Sequence, residues 1–572
     1  MILFAALAIF LQTTGKFHFF YIEQLQLFQF STDYIAEKIW MPGGLSLIIG
    51  EFLTQFFITP YAGPLLVAGL LTCIGFVTRN IIQRISPQKE LYLLYILPPL
   101  SLLLIQYDFN YLLQGTVAYL LTILCLNGII RIPEFRIRLC TAYVVTPLLF
   151  WISGPSAGLF ALCLFIGEIS RRFRKGLYTV TVLVEFSLLA IGSVGMSIIT
   201  DYRFALLSDA YYHPILNAPS VIYFSWISLP LCITAASIYP KQAFVSIKGR
   251  WVESILQVII IVGLIGYSIP RYDDRKSYPL KTLDYIARTQ QWDSIIRQCQ
   301  GPIKNFLYLN YLNRALAEKG MLADRLFAFD QHGPQSLLAS WNKVFSVSTL
   351  LSDIYFTLGE IALSQEMAFE AYVTVAGSGN PQNLQRLVET NLIFGSYPVA
   401  EKYIRILEKT YAYREWAQKH RAFLNNDEAV EKDPLLGGKR RGLPKDNNLA
   451  GLNGLETDLL QRAEQNPQDR LPIEFIGVSY LLSKDIKSFQ ALIEKYYGTP
   501  ILPQLPTSFQ EAVILLAERD TNYWMRFNLS ESIIQRFAGY RKLVLQNRGN
   551  AQLPQLIKQS FGDTYWCYFM CN

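Results

Sequence analysis

Apolar runs long enough to cross a bilayer recur through the first half of the chain and stop at Pro270, and no other feature limits its fold as strongly. A run of roughly 15 to 22 apolar residues reaches across the hydrocarbon core when flanking polar groups lean outward or the bilayer thins. Such runs fall at 1–13, 61–78, 91–106, 113–130, 139–152, 155–169, 178–199, 219–239 and 251–269, which predicts nine spans. With 52% hydrophobic and 17% charged residues in 572, the chain is too apolar for a soluble protein of its length. Charged and amide residues instead crowd the sequence beyond Ser268 to Asp274, so a transmembrane domain at 1–270 is expected to precede a water-soluble half.

Orientation follows from the basic residues, which bilayers retain on the cytoplasmic side. One set of loops carries Arg79, Arg84 and Lys89, then Arg131, Arg136 and Arg138, then Arg171, Arg172, Arg174 and Lys175, then Lys241, Lys248 and Arg250; the opposite set carries Lys16, Lys38 and Arg203. The segment 45–60 is apolar but short, holds Glu51 and Gln55, and ends at Pro60. Counting it as a tenth span destroys the charge asymmetry, so it is expected to lie in the outer interface within a large loop at 14–60. A cytoplasmic start and nine spans then leave the second half extracytoplasmic. Met1 runs directly into apolar residues without a basic leader, which reads as an uncleaved anchor or a start upstream. The net charge of +7 is accounted for by these loops, and no nucleic-acid partner is expected.

Beyond Pro279 apolar and small residues recur at i, i+3, i+4 and i+7, as in LDYIARTQQWDSIIRQC and LLSDIYFTLGEIALSQEMAFEAYVTVA, with no strand-like alternation of comparable length. Helix breaks are expected at Gly301-Pro302, Asn380-Pro381 and Tyr397-Pro398. Leu358-Gly359 followed by Ala371 resembles tetratricopeptide-type repeats, which implies an α-solenoid; an irregular helical domain is the competing reading. The expected order is a helical-repeat domain at 271–424, a Gly-, Pro- and Asn-rich loop or insertion at 425–454 with a solvated basic turn at Lys439, Arg440 and Arg441, and a second helical block at 455–572. The fold class is all-α: a polytopic helical bundle followed by an extracytoplasmic TPR-like solenoid. Cys73, Cys125, Cys140, Cys163 and Cys232 lie in apolar runs and read as small buried residues, whereas Cys567 and Cys571 could pair in an oxidising compartment.

No nucleotide loop, metal-binding helix, nucleophile elbow or dinucleotide fingerprint is present. The layout nevertheless resembles glycosyltransferases that use lipid-linked donors, in which a first span leads into a large outer loop with an acidic residue and interfacial helices. That resemblance implies a carboxylate acting as general base on an acceptor hydroxyl or holding a divalent metal, with a lipid-linked sugar as donor. Here the loop offers Glu23, Asp33, Glu37 and Glu51, of which Glu23 in HFFYIEQLQLF leads as catalytic residue and Asp33 is second; Asp33 reads equally as part of a helix cap. His18, Asp108 in QYDFNY, and Arg203 and His213 in DYRFALLSDAYYHP are candidates for substrate binding on the same face, each also explicable as a loop end. No protein metal site stands out.

Glu185 lies within a span, as a relay or as a carboxyl hydrogen-bonded between helices, and Glu168 is expected to pair with Arg172. Pro42-Gly43-Gly44 and Gly154-Pro155 read as tight turns. The whole chain also resembles a bacterial multispan membrane family of uncharacterised activity, through the loop, the PGG turn and the terminal Thr564-Tyr565-Trp566. Three functions compete: the transferase, a non-catalytic scaffold that binds a protein or peptide partner on its solenoid, and a transporter relying on Glu185. The bilayer is a partner in all three.

Overall fold

The computed structural model describes residues 1–87, 90–239, 247–272, 276–375, 379–444, 454–517 and 520–571. Lys89, Lys241, the side chain of Lys248, Asp273 and Asp274 at the expected boundary, and 445–453 of the expected loop lie outside the described residues. Among those described the chain is all-α, with two isolated bridges, Tyr111 to Tyr212 and Tyr497 to Leu502. It forms two compact units, one built mainly from residues 1–279 and the other from most of the remainder.

The first unit contains α1 (Ile2–Glu23), α2 (Thr32–Ile39), α3 (Gly44–Thr54), α4 (Ala62–Ile85), α5 (Tyr92–Ile105), α6 (Leu113–Ile130), α7 (Phe135–Ser153), α8 (Ser156–Arg171), α9 (Val180–Gly195), α10 (Ser220–Ile238) and α11 (Ile247–Tyr272). Among the described residues seven helical segments are long and apolar enough to cross a membrane: α1, α4, α6, α7, the run Phe173–Gly195 ending in α9, α10, and Gly249–Tyr272 of α11. Helices α5 and α8, at about 21 and 24 Å, are shorter than the hydrocarbon core. Both nevertheless run the length of the bundle. α5 begins beside the Arg79–Glu90 pair (2.9 Å) and ends at Gln106, whose carbonyl meets His18 of α1. α8 begins next to Gly154 and ends with Glu168 bound to Arg138 of α7 (2.8 Å).

Two ends of the bundle can therefore be told apart by their contacts. At one, Ile85, Ile130 and Ile233 gather around Glu168 and Arg171, and Gln257 of α11 donates to the Glu90 carbonyl. At the other lie the last turn of α1, the 106–112 turn and the 202–214 connection. α1, α4 to α8, α9, α10 and α11 correspond one to one with the nine apolar runs. The membrane helices satisfy their backbones internally, the only solution hydrocarbon allows.

Three expectations are corrected in this unit. The first apolar run does not stop near residue 13: α1 continues to Glu23, because its last turns are packed inside the bundle, with Phe19 against Gly63 of α4, where a Cβ would come within 2.7 Å of the ring. Lys16, His18 and Glu23 are thus helix residues and not loop residues. Segment 45–60 forms α3 and a single 3-10 turn (Gln55–Ile58); α3 turns small and polar residues inward, with Gly44, Ser46, Gly50, Glu51 and Thr54 its buried positions, and the 3-10 turn buries Gln55 and Phe57. Glu168 pairs with Arg138 and with Arg171 (3.6 Å), not with Arg172, since Arg172 leaves the helix in extended backbone. Cys163 and Cys232 are buried, but Cys73 and Cys140 face outward.

The two expected turns meet each other. Gly43 and Gly154 both hold positive φ, 81° and 75°, and the Gly43 amide donates to the Trp151 carbonyl at 2.8 Å. Gln114 at the head of α6 donates to the Gly43 carbonyl (3.2 Å), and a Cβ on Gly50 would stand 2.7 Å from the Gln114 nitrogen. Glycine at 50 is what lets α3 cross α6 backbone to backbone.

In the second unit, α12 (Phe345–Leu358), α13 (Ile361–Thr374), α14 (Pro381–Phe394) and α15 (Tyr397–Glu408) pack successively, each on the next. Gly359 and Gly395 end α12 and α14 in the left-handed region (φ 83° and 73°), the usual glycine helix stop. Asn380-Pro381 starts α14: the Asn380 side chain accepts the Asn383 amide at 2.8 Å and the proline takes the first helical position, where no amide is needed. Asp353 sits between Arg314 (2.7 Å) and Arg386 (2.9 Å); burial alone would raise its pKa, but the two guanidiniums hold it below the usual carboxylate range.

The stretch read as a loop contains α16 (Asp427–Lys432) and α17 (Leu436–Arg441). Its basic cluster is not a solvated turn. Arg440 donates to the Leu392 and Ile393 carbonyls, the last of α14, and Lys439 donates to the Thr357 carbonyl of α12 at 2.8 Å. Cations at helix C-termini satisfy orphan carbonyls and oppose the helix dipole. The second block holds α18 (Leu455–Gln465), α19 (Leu471–Ser483), α20 (Ile486–Tyr496), α21 (Thr507–Leu516), α22 (Glu531–Gln546), α23 (Leu553–Phe561) and α24 (Tyr565–Cys571). The aromatic tail closes it: Thr564, Tyr565 and Trp566 are wholly buried, the Tyr565 amide donates to the Glu511 carboxylate (2.7 Å), and the Trp566 indole donates to the Glu511 carbonyl (2.8 Å). Cys567 and Cys571 are unbridged.

Candidate functional site

The candidate residues gather at the bundle end that holds the last turn of α1. His18 is buried there, with Nε2 2.6 Å from the Gln106 carbonyl; the Gln106 amide continues to Thr116 Oγ1 (2.7 Å), which meets the Tyr111 hydroxyl at 3.2 Å. Tyr21 packs edge-on to Phe109, with centroids 5.4 Å apart. Two residues on, Glu23 closes α1 with 3% of its surface exposed, its carboxylate accepting the Gln24 amide at 2.6 Å. Five apolar or aromatic residues precede Glu23, so the helix carries this carboxylate into the packed end instead of releasing it into a loop.

Asp108 is held from three directions. Its Oδ1 accepts the backbone and side-chain amides of Asn110 (2.9 and 3.1 Å), and its Oδ2 accepts the Tyr212 hydroxyl (2.7 Å). Burial and the neighbouring carboxylate push the Tyr212 phenol far up, so it stays a donor to Asp108. The His213 amide donates to the Asn110 carbonyl (3.1 Å), and Arg203 reaches the Pro214 carbonyl (2.7 Å) while stacking over Phe204. Gly115 permits this junction, since a Cβ there would strike the Tyr111 hydroxyl at 2.5 Å and Tyr211 at 2.7 Å. His18, Asp108, Arg203 and His213, widely separated in sequence, thus share one hydrogen-bonded junction. Beside it opens a cavity of about 310 Å³ lined by Leu104, Ile105, Phe109, Pro219 and Val221, with Asp108 as its carboxylate.

The other acids differ in standing. Asp33 is exposed in the first turn of α2; Ser31 occupies the cap position, and no side chain bonds the free amides. Glu51 is buried and bound to Lys38 through both oxygens (2.6 and 2.5 Å) and to the Tyr34 hydroxyl, an arrangement that locks α2 onto α3. Glu185 stands on α9 with one carboxylate oxygen buried and without a hydrogen bond among the described residues. Sequence reasoning missed Gln106, Asn110 and Tyr212, although QYDFNY displays the first two beside Asp108; Tyr212 gave no signal because its role depends on a partner 104 residues away.

Among the described residues no three of His, Cys, Asp and Glu stand together so as to hold a metal ion.

All-α among its described residues, with seven helices there of membrane-spanning length, the chain is a membrane-associated protein. More specifically, it belongs to the family described as Family of unknown function (DUF6057), whose model matches residues 1–572. No curated protein and no solved structure matches it.

Proposed function

We propose that the membrane unit is a transferase acting on a lipid-linked sugar donor, with Glu23 as general base and Asp33 as the second choice. The observation that carries this reading is the position of Glu23: a buried carboxylate at the end of the first traversing helix, followed by two short helices before the chain turns back. In this reading Glu23 takes the proton of an acceptor hydroxyl, the acceptor oxygen bonds to the anomeric carbon, and the lipid phosphate leaves with the electron pair. His18, Asp108, Arg203 and His213 would orient the sugar and its phosphate. The adjoining apolar cavity suits a lipid chain. The setting proposed is a bacterial inner membrane, with the α1 carboxyl end outside.

The test is mass spectrometry of envelope glycans and lipid-linked intermediates in a deletion strain complemented with wild type, Glu23→Gln or Asp33→Asn. Loss of a general base typically costs 10²- to 10⁴-fold in rate, so Glu23→Gln, at normal abundance in the membrane, is expected to leave a glycan missing and its lipid-linked precursor accumulated. Identical profiles in all four strains would sink the transferase and leave the scaffold reading.

A further inference from the structure

The second unit contains a large polar cavity that the transferase reading does not use. It measures about 860 Å³, toward the upper end of the range typical of ligand sites, about 300–1,000 Å³. It forms where Glu318, Asp324 and Thr357 face the approaches to α19 and α21, with Lys439 of α17 on its wall. Several lining groups are already engaged. Asp324 accepts the Thr507 amide and hydroxyl (both 2.8 Å), Asp469 accepts from Arg462 (3.1 Å), and Glu318 accepts the Thr357 hydroxyl (2.6 Å).

What is left over is chemically specific. The Arg470 guanidinium and the Gln468 and Gln504 amides are exposed at the mouth of the cavity and bond no described residue, Glu474 accepts the Ala323 amide, and Lys439 spends one of its three protons, on the Thr357 carbonyl. Burial and Asp324 push Glu474 up to about 7; burial and Arg462 push Lys439 down to about 8, with Glu318, Asp469, Arg386 and Arg470 the other charges facing the two. Perturbed groups of opposite sign sharing one cavity are commoner at binding sites than elsewhere. Primary amides pair with both the N–H and the C=O of a peptide bond. The carboxylates disfavour a polyanion, and no aromatic side chain lines the wall to stack on a sugar or base.

We propose that this cavity binds a short zwitterionic peptide, its ammonium against Glu474, its carboxylate against Arg470 and Lys439, and its amide groups against Gln468 and Gln504. The site stands whether or not Glu23 is a base.

The experiment is calorimetric titration of the full-length protein in lipid nanodiscs with trialanine, with N-acetyl-trialanine amide, and with maltotriose. Saturable trialanine binding is expected, weakened at least tenfold by Glu474→Gln, by Arg470→Gln, and by blocking both peptide ends. If either variant melts below wild type, the blocked peptide on the wild-type protein decides. The proposal is overturned if trialanine shows no saturation up to roughly 10 mM, if its binding ignores the substitutions and the blocking groups, or if maltotriose binds in its place.

Discussion

At Glu511 one residue accepts the Tyr565 amide through its carboxylate and the Trp566 indole through its carbonyl, and burial pushes its carboxyl up to about 7. Glu360 and Glu474 are likewise raised to about 7, by burial and by Asp458 and Asp324 respectively. A raised carboxyl binds more protons folded than unfolded between about pH 4.5 and 7, so its share of stability is full below that window and lost as pH rises through it. Glu511→Gln keeps an acceptor for Tyr565 and removes the ionisation. The variant is expected to match wild type near pH 4.5 and to exceed it by on the order of 2 kcal/mol above pH 7. Thermal melts of the purified protein at both pH values check this; an equal difference at both would refute the titration account. Glu511 was not legible in the sequence, because EAVILLAE looks like any amphipathic helix and its partners lie 54 and 55 residues on. The terminal TYW motif was legible as a motif, but its work as the closing plug of the helical block was not.

Elements were more legible than their ends. Every apolar run corresponds to a helix, yet α1 exceeds its apolar run by ten residues, since aromatic and polar residues buried by neighbouring helices continue a helix as readily as aliphatic ones. Periodicity cannot report burial of that kind. The PGG and GP turns were each visible from local chemistry, while their contact, and the use of Gly50 to bring α3 onto α6, are tertiary facts. This crossing gives an element-level prediction. Gly50→Ala places a methyl 2.7 Å from the Gln114 nitrogen and 2.9 Å from its Cα, both backbone atoms that cannot swing aside. Overpacking of this kind costs about 1–3 kcal/mol, so the detergent-solubilised protein should melt several degrees lower. Gly192→Ala, on α9 with nothing within 4 Å of the added carbon, is the matched control and should hold the midpoint or raise it slightly, because alanine favours the helix over glycine. Equal effects at both sites would mean that α3 does not hold this crossing.

For the molecule as a whole, the alternation of traversing helices carries the topology argument further than hydropathy did. α5 and α8 fail a length criterion, but their contacts place each between opposite ends of the bundle, so nine passes are expected, entering at the end where Arg138 and Arg171 meet Glu168 and leaving at the end where Asp108 lies. α3 does not alter that parity, because it begins against Gly154 and hands on to α4 beside Phe19, both at the same end. Positive residues hold their end in the cytoplasm. A fusion of green fluorescent protein after Lys175 should therefore fluoresce, and alkaline phosphatase fused there should be inactive. After Cys571 the result should reverse, with phosphatase active and the fluorescent protein dark. Fluorescence at both sites would remove one pass after Lys175, making α9, α10 or α11 a helix that dips in and returns, and would put the peptide cavity in the cytoplasm. Phosphatase activity after Lys175 would mean either that α5 or α8 dips in and returns, or that the bundle is inverted with Glu23 on the cytoplasmic face, where the transferase reading requires a donor loaded from inside the cell.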